Sequence, residues 1–230
     1  INLFKQIYKI YKNKLLITCA HDFGNINDVY KKVLNDFEEV SFFKREMHVS
    51  FYEFSYNMYP IGFGYPDERV VFDKPDKTKN ISKIIPGAGD TYINSSVEDY
   101  FNEYKSSRFA FTYLKCGWDC GRHTEIIFNR CVPIFLSLDS LPNNVMFNHH
   151  KMAYRKVFNN LISLNYKEIG KLNINLLGNL KYHQTIAFGE NKYWKIKNLS
   201  LYDEIENEIF EYSLKNLTSS SIVKYMLSIV

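Results

Sequence analysis

One short segment of the chain combines the residue types and spacing of a phosphate-binding site. Gly117 and Gly121 bracket a loop, and Arg122 and Glu125 follow it at helical spacing. Free backbone N–H groups at a helix start favour an anion, and a guanidinium can bind phosphate oxygens through two hydrogen bonds. Glu125 lies one turn further along the same face, where its carboxylate suits the two hydroxyls of a ribose. The pair therefore favours a nucleoside diphosphate, with an ordinary surface Arg–Glu pair as the alternative.

The elements around this segment predict an α/β fold with parallel strands. Residues 108–113 and 132–136 have the apolar pattern of buried strands, and residues 122–130 between them have the pattern of a short helix. Ser96, with acidic residues after it, predicts the start of a preceding helix. The loop with the two glycines therefore follows the carboxyl end of a strand, where open α/β sheets bind their ligands.

The rest of the chain predicts a second α/β unit and several helices. Residues 14–40 have the pattern of a strand, a loop and a helix, which is the beginning of another parallel sheet. Residues 50–71 are strand-like and aromatic, and their prolines and glycines indicate a connection between units. Residues 73–80 are polar and predict a loop. Further helices are predicted near residues 150–161, 201–214 and 220–229, the last of them capped from the run Thr218 to Ser221.

The segment around the loop also resembles a known family. Gly117-Trp-Asp-Cys-Gly-Arg-His-Thr-Glu125-Ile and Asn129-Arg-Cys-Val-Pro-Ile-Phe135 resemble the donor-domain signature of a GT-B-type glycosyltransferase family of bacteria and large DNA viruses. That family is distantly similar to the exostosin-type enzymes. The chain departs from the usual pattern at Thr124, where Tyr is usual, and at Arg130, where Gly is usual. The resemblance extends over residues 60–151 and is loose in the C-terminal helices.

This resemblance implies roles for individual residues. Glu125 would hold the ribose of the donor, Arg122 its diphosphate, and the loop would supply backbone N–H donors. Trp118 could stack on the nucleotide base, or it could pack on its own lobe. The donor-binding set is predicted to be Gly117, Trp118, Asp119, Gly121, Arg122, His123 and Glu125. Enzymes of this type usually work without a divalent metal, and the lack of an Asp-x-Asp motif agrees with that expectation. No cofactor is expected apart from the nucleotide sugar as co-substrate.

The catalytic base is expected in the N-terminal part of the chain. In inverting enzymes of this type it follows a strand of the first lobe, and His21 and Asp22 follow the first predicted strand here. The alternative is a turn in which Asp22 caps the next helix.

Composition limits the other classes of function. The net charge of +4 comes from scattered Lys and Arg, whereas nucleic-acid binders usually show a denser basic stripe. Four cysteines in 230 residues do not suggest a disulfide framework, and a reducing, cytoplasmic location is expected. The chain has no apolar run long enough to span a bilayer, so at most peripheral membrane contact is expected. A zinc site is an alternative use of four residues: Cys116, Cys120, His123 and Cys131.

Together these observations predict an α/β, GT-B-like chain with Rossmann-type parallel sheets, flanking helices and a reduced or truncated first lobe. Residues 1–68 would form a partial acceptor-side lobe, and residues 69–230 the donor-binding lobe with the C-terminal helices. The expected activity is hexosyl or pentosyl transfer, with inversion, from a nucleotide diphosphate sugar to a glycan or lipid-linked acceptor. The alternatives are a fucosyltransferase-like enzyme of the same fold and a non-catalytic nucleotide- or glycan-binding module.

Overall fold

Parallel sheets flanked by helices form the framework of this chain, so the predicted α/β class is confirmed. The computed structural model describes residues 6–7, 9–10, 16–19, 35–36, 40–47, 57–92, 96–136, 138–172 and 180–230. The first sheet has the order β1-β2-β3, and the second has the order β4-β5-β6. All neighbours in these two sheets are parallel.

The first sheet contains the strand that was predicted near the N-terminus. Its strands are β1 (Leu16–Cys19), β2 (Ser41–Lys44) and β3 (Met58–Pro60). In the register, Cys19 pairs with Lys44 and Lys44 pairs with Pro60, so the carboxyl ends of the three strands lie side by side. The helix predicted after β1 lies mostly outside the described residues, although residues 35–36 are helical.

The second sheet confirms the predicted order of helix, strand, loop, helix and strand. Its strands are β4 (Lys79–Ile81), β5 (Ser107–Thr112) and β6 (Val132–Phe135). Helix α1 (Val97–Ser106) precedes β5 in the chain, and helix α2 (Gly121–Phe128) connects β5 to β6. The predicted loop over 73–80 is wrong at its end, because Lys79 and Asn80 belong to β4. The side chains of Lys79 and Asn80 are exposed in this edge strand. The strand therefore has no apolar pattern that a sequence could reveal.

The remaining elements follow the second sheet along the chain. They are α3 (Lys151–Lys156), which continues as a π-helical turn (Val157–Leu161), then β7 (Ile162–Leu164), α4 (Tyr166–Ile169), α5 (Leu180–Phe188), β8 (Trp194–Ile196), α6 (Tyr202–Asn216) and α7 (Ser219–Ile229). Strands β7 and β8 pair antiparallel. Short 3-10 turns cover Asp67–Arg69, Gly89–Thr91 and Leu138–Ser140. The predicted caps are present, because Ser96 accepts from Asp99 N–H and Thr218 accepts from Ser221 N–H.

Strand β5 is covered on both faces. Phe109 and Phe111 point into the main core, whereas Ala110 points to the opposite face, where it packs with Tyr104 and Ile126. A strand that is buried on both sides is typical of parallel sheets with helices on each face. The loop after β5 is therefore held by a rigid element.

Helix α2 ends in a tight turn at the position where the chain departs from the family pattern. Arg130 has a φ of 60°, the left-handed conformation that favours glycine. The N–H of Cys131 bonds to Ile126 O and the N–H of Arg130 bonds to Ile127 O, which is the hydrogen-bond pattern of a Schellman motif. The turn forms without glycine, and the Arg130 side chain is buried against α6.

The last helix, α7, packs against the first sheet. The predicted domain boundary at residue 68 groups this helix with the second sheet. Ile222 and Met226 of α7 lie in a cluster with Phe43, and the hydroxyl of Tyr225 donates to Pro60 O. A Cβ at Gly64 would lie 3.0 Å from the Cα of Ser219 at the start of α7. Among the described residues, no helix combines the length and the apolar character that crossing a bilayer requires.

Candidate functional site

The carboxyl-end loops of the two sheets meet. Arg45 and Glu46 follow β2, and the loop around Asp119 follows β5. The Glu46 carboxylate accepts a hydrogen bond from Asp119 N–H, with 2.6 Å between the oxygen and the nitrogen. The Arg45 guanidinium donates to Asp119 O and lies 4.4 Å above the Phe63 ring. The predicted donor loop is therefore in contact with the first sheet.

Arg122 and Glu125 lie on one side of α2, as their spacing predicts, beside two tyrosines. The Tyr100 hydroxyl donates to a Glu125 carboxylate oxygen at 2.7 Å. The Tyr92 and Tyr100 rings are stacked with centroids 6.4 Å apart, and the Arg122 guanidinium lies 5.9 Å from the Tyr92 centroid. We call Tyr92, Tyr100, Arg122 and Glu125 the tyrosine-lined site.

The guanidinium of Arg122 has no polar protein partner in the described part of the chain. Its Nε is buried and makes no hydrogen bond, and none of the ion pairs of the described residues includes Arg122. The cation lies over the Tyr92 ring. Burial raises the pKa of the Tyr92 hydroxyl, so this neighbour carries no negative charge at pH 7. A half-buried cation without a counter-ion is costly to fold. An anionic ligand would offset that cost, which makes Arg122 the strongest candidate for binding one.

The start of α2, next to Arg122, is open. A Cβ on Gly121 would meet no atom within 4 Å. The residue before it, Cys120, makes no side-chain capping hydrogen bond. Burial raises the pKa of the Cys120 thiol to about 11, so this side chain is neutral at pH 7 and would not repel an anion. The N–H groups of Gly121 and Arg122 and the positive dipole end of α2 can therefore face a phosphate, whereas the N–H of His123 already bonds to Cys120 O.

Two other residues of the predicted set, Trp118 and His123, are buried and already have protein partners. Trp118 is 5% exposed and stacks on Phe135, which favours the alternative of packing on its own lobe. The Nε2–H of His123 donates to Trp118 O at 2.6 Å, and its Nδ1 lies 2.8 Å from the Thr112 hydroxyl. Gly117 is half-buried. These contacts support a positioning role for Trp118 and His123.

Asp119 is fully buried and belongs to a polar network between the sheets. Its carboxylate accepts from Phe63 N–H at 3.1 Å and lies 3.4 Å from His149 Nε2. Burial alone would raise the pKa of Asp119, but the adjacent His149 imidazole and the nearby charges outweigh it and hold that pKa below its usual range. Burial lowers the pKa of His149, whose Nδ1 lies 2.7 Å from the Tyr154 hydroxyl. The consistent arrangement is an ionised Asp119 beside a neutral His149.

The two predicted catalytic residues, His21 and Asp22, lie outside the described residues. Strand β1, which precedes them in sequence, ends next to Lys44 at the carboxyl edge of the first sheet. Their assignment as the base stays a prediction.

Two functional candidates escaped the sequence reasoning. Tyr100 was not predicted to belong to the site, because no spacing rule links it to Glu125. Glu46 has no motif around it, since its contact with the loop joins residues 73 positions apart. A tyrosine 25 residues before an acidic residue, on a different helix, is too common a pattern to identify such a pair.

The zinc alternative gains no support from the geometry. His123 is bonded to Thr112 and Trp118, and Cys131 lies in the core cluster of Ala110. Within the described ranges no three histidine, cysteine or acidic side chains converge as ligands for a metal ion.

Comparison with known protein families, with curated proteins and with solved structures gives no match for this chain.

Proposed function

We propose that this chain is a GT-B-type glycosyltransferase that transfers a monosaccharide from a nucleotide diphosphate sugar to a glycan or lipid-linked acceptor. One observation carries the proposal: an arginine without a polar partner among the described residues and an anchored carboxylate share one side of α2, beside an open helix start. The resemblance of residues 117–135 to a donor-domain signature supports the same assignment.

Each group of the site has a role in this proposal. Arg122 and the first N–H groups of α2 bind the diphosphate, and Glu125 accepts hydrogen bonds from the ribose hydroxyls. Tyr100 occupies one carboxylate oxygen of Glu125 and leaves the other for the ligand. Trp118, Asp119 and His123 hold the loop in place from beneath and do not touch the donor.

The reaction follows from this placement. The acceptor oxygen attacks the anomeric carbon while the bond from that carbon to the diphosphate oxygen breaks. Negative charge grows on the leaving diphosphate, and Arg122 with the positive end of α2 stabilises it. His21 or Asp22 takes the proton of the acceptor hydroxyl. No metal ion is required in this scheme, because the cation at the leaving group is Arg122.

A thermal-shift screen tests the donor site. The panel contains uridine, cytidine, guanosine, adenosine and thymidine diphosphates and their common sugar conjugates, GDP-fucose included. A ligand at ten times its dissociation constant should stabilise the protein by about 1.4 kcal/mol, a rise of about 3–5 °C in melting temperature. One nucleotide should stabilise the wild type but not Glu125→Gln or Arg122→Gln. A panel without any stabilising nucleotide at millimolar concentration would refute the proposal.

Substitutions of His21 and Asp22, which follow β1 in the sequence, distinguish an enzyme from a binding module. Asp22→Asn or His21→Ala should abolish sugar transfer without changing nucleotide affinity, whereas Glu125→Gln should weaken both. If the wild type binds a nucleotide sugar tightly but neither transfers nor hydrolyses the sugar, the chain is a binding module. If GDP-fucose alone is used, the fucosyltransferase-like alternative holds.

A further inference from the structure

Glu46 has an unusual backbone conformation for its residue type. Its φ is 55°, the left-handed region, and its side chain is 1% exposed. A left-handed conformation costs a non-glycine residue about 1 kcal/mol or more, and a buried carboxylate carries a further desolvation cost. Such a residue persists only where the surrounding structure compensates both costs, and positions of this kind concentrate at functional sites.

The compensation comes from the loop of the other sheet. The Glu46 carboxylate accepts from the backbone N–H of Asp119, with 2.6 Å between the oxygen and the nitrogen. The neighbouring Arg45 donates to the carbonyl of Asp119. Two charged side chains that follow β2 therefore hold the backbone of Asp119: Glu46 accepts from its N–H, and Arg45 donates to its carbonyl oxygen. Hydrogen bonds in which one partner is ionised are short and about twice as strong as neutral ones.

The segment that Glu46 holds leads directly into the tyrosine-lined site. Asp119 is followed by Cys120, and α2 begins at Gly121 with Arg122 in its first turn. Two further contacts hold the same loop. The His123 ring donates to Trp118 O, and the N–H of Phe63, in the segment after β3, donates to the Asp119 carboxylate. Glu46 and Arg45 provide the contact from the end of β2.

We propose that Glu46 is a positioning residue, whose carboxylate fixes the backbone of Trp118 and Asp119 and thereby sets the place of Arg122 for the donor diphosphate. The inference rests on the proposed function, and it assigns to the first sheet a direct influence on nucleotide affinity. When the Glu46 carboxylate is removed, the loop before α2 opens more often. The nucleotide then binds only to the fraction of molecules in which this loop is closed.

Three variants test this role. Glu46→Gly keeps the left-handed conformation without strain but removes the carboxylate. Glu46→Gln keeps one acceptor oxygen. Glu206→Gln is the matched control, because Glu206 is also a buried carboxylate beside an arginine, but it lies at the other end of α2, against Arg130.

Amide hydrogen exchange of residues 117–121 gives a readout that needs no ligand. In Glu46→Gly, exchange at Trp118 and Asp119 should become about 10- to 100-fold faster, and Glu46→Gln should lie between it and the wild type. In Glu206→Gln the protein should lose stability, but the exchange of this segment should stay as in the wild type. Unchanged exchange in Glu46→Gly would overturn the inference. If that variant does not fold, unchanged exchange in Glu46→Gln would overturn it.

Nucleotide affinity gives the second readout, measured with whichever nucleoside diphosphate stabilises the wild type most. The dissociation constant should rise about tenfold in Glu46→Gly, less in Glu46→Gln, and not in Glu206→Gln. An equal rise in the Glu206→Gln control would mean that the effect is general destabilisation, which contradicts positioning by Glu46. If no nucleotide binds the wild type, the proposed function fails, while the exchange experiment still decides whether Glu46 holds the loop.

Discussion

The left-handed turn at Arg130 makes a sharp prediction about stability. The Arg130 guanidinium lies 3.0 Å from a carboxylate oxygen of Glu206, bonds to the Asn207 side chain at 2.8 Å, and lies 3.9 Å from the Phe210 ring centroid. Glycine is the usual residue here in the family that the segment resembles, and it removes the backbone strain of this conformation. We nevertheless predict that Arg130→Gly destabilises the protein.

The magnitudes of the opposing effects decide the sign. Relief of the left-handed strain should contribute about 1 kcal/mol of stability. Removal of one partner from a buried ion pair costs about 3–5 kcal/mol, because the other charge stays buried without compensation. Lys74 remains 3.4 Å from Glu206 and reduces that cost. The net result should be a loss of about 2–3 kcal/mol.

Removing both charges should reverse the loss. In the double variant Arg130→Gly/Glu206→Met, no buried charge is left unpaired at this position and the turn has its preferred residue. Its stability should return to within about 1 kcal/mol of the wild type. Urea denaturation at pH 7 measures the wild type and both variants, with equal slopes required before the midpoints are compared.

The pH dependence gives an independent check on the same reasoning. Burial raises the pKa of Glu206, although the charges of Arg130 and Lys74 oppose the shift. The folded state therefore binds this proton more tightly than the unfolded state, and stability from this group falls as pH rises above its unfolded pKa. Without Arg130 the pKa should rise further, so the destabilisation should be larger at pH 8 than at pH 5. A stabilising Arg130→Gly substitution, or a loss independent of pH, would refute the reasoning.

Three further predictions concern the site and its supports. Tyr100→Phe should weaken nucleotide binding about three- to tenfold in calorimetric titration, because the hydroxyl that orients Glu125 is lost; equal affinity would show that Tyr100 does not position this carboxylate. Gly64→Ala should lower stability by about 1–3 kcal/mol in chemical denaturation, since its Cβ would meet the backbone of α7 at 3.0 Å. The control Gly121→Ala, in open space, should not destabilise the fold. Ser96→Ala should cost about 1 kcal/mol through loss of the α1 cap, and a neutral result would contradict the capping role.

The second sheet was predictable because its signals are local. The centre of β5, residues 109–111, and the whole of β6 are apolar, and a loop with two glycines separates β5 from α2. The cap at Ser96 and the spacing of Arg122 and Glu125 are also local, so each could be recognised within a few residues.

The parts that escaped prediction depend on contacts between distant residues. Strand β4 exposes Lys79 and Asn80, and it is a strand because its backbone pairs with β5. The left-handed conformations of Glu46 and Arg130 leave no trace in residue type, since neither is glycine or asparagine. Their cost is offset by partners 73 and 76 positions away, Asp119 and Glu206. No local pattern contains that information.

The predicted donor set also divides for a physical reason. A loop at a strand end has one side that faces the protein and one that is open to a ligand. The sequence does not show which side each residue of the loop faces. Trp118, Asp119 and His123 face the protein, where Trp118 O bonds to the His123 ring and Asp119 bonds through its N–H and its Oδ2. Arg122 and Glu125 face the tyrosines of α1 and the segment before it, which is the side with an open helix start.

The central claim is that Glu125 and Arg122 bind the ribose and diphosphate of a donor nucleotide. The most direct measurement is calorimetric titration of wild type and Glu125→Gln with the best-binding nucleoside diphosphate and with its 2′-deoxy counterpart. The account predicts that the wild type prefers the ribonucleotide by about 10- to 100-fold, and that Glu125→Gln loses most of this preference. Binding of both nucleotides with equal affinity to wild type and variant, or of neither to the wild type, would contradict it.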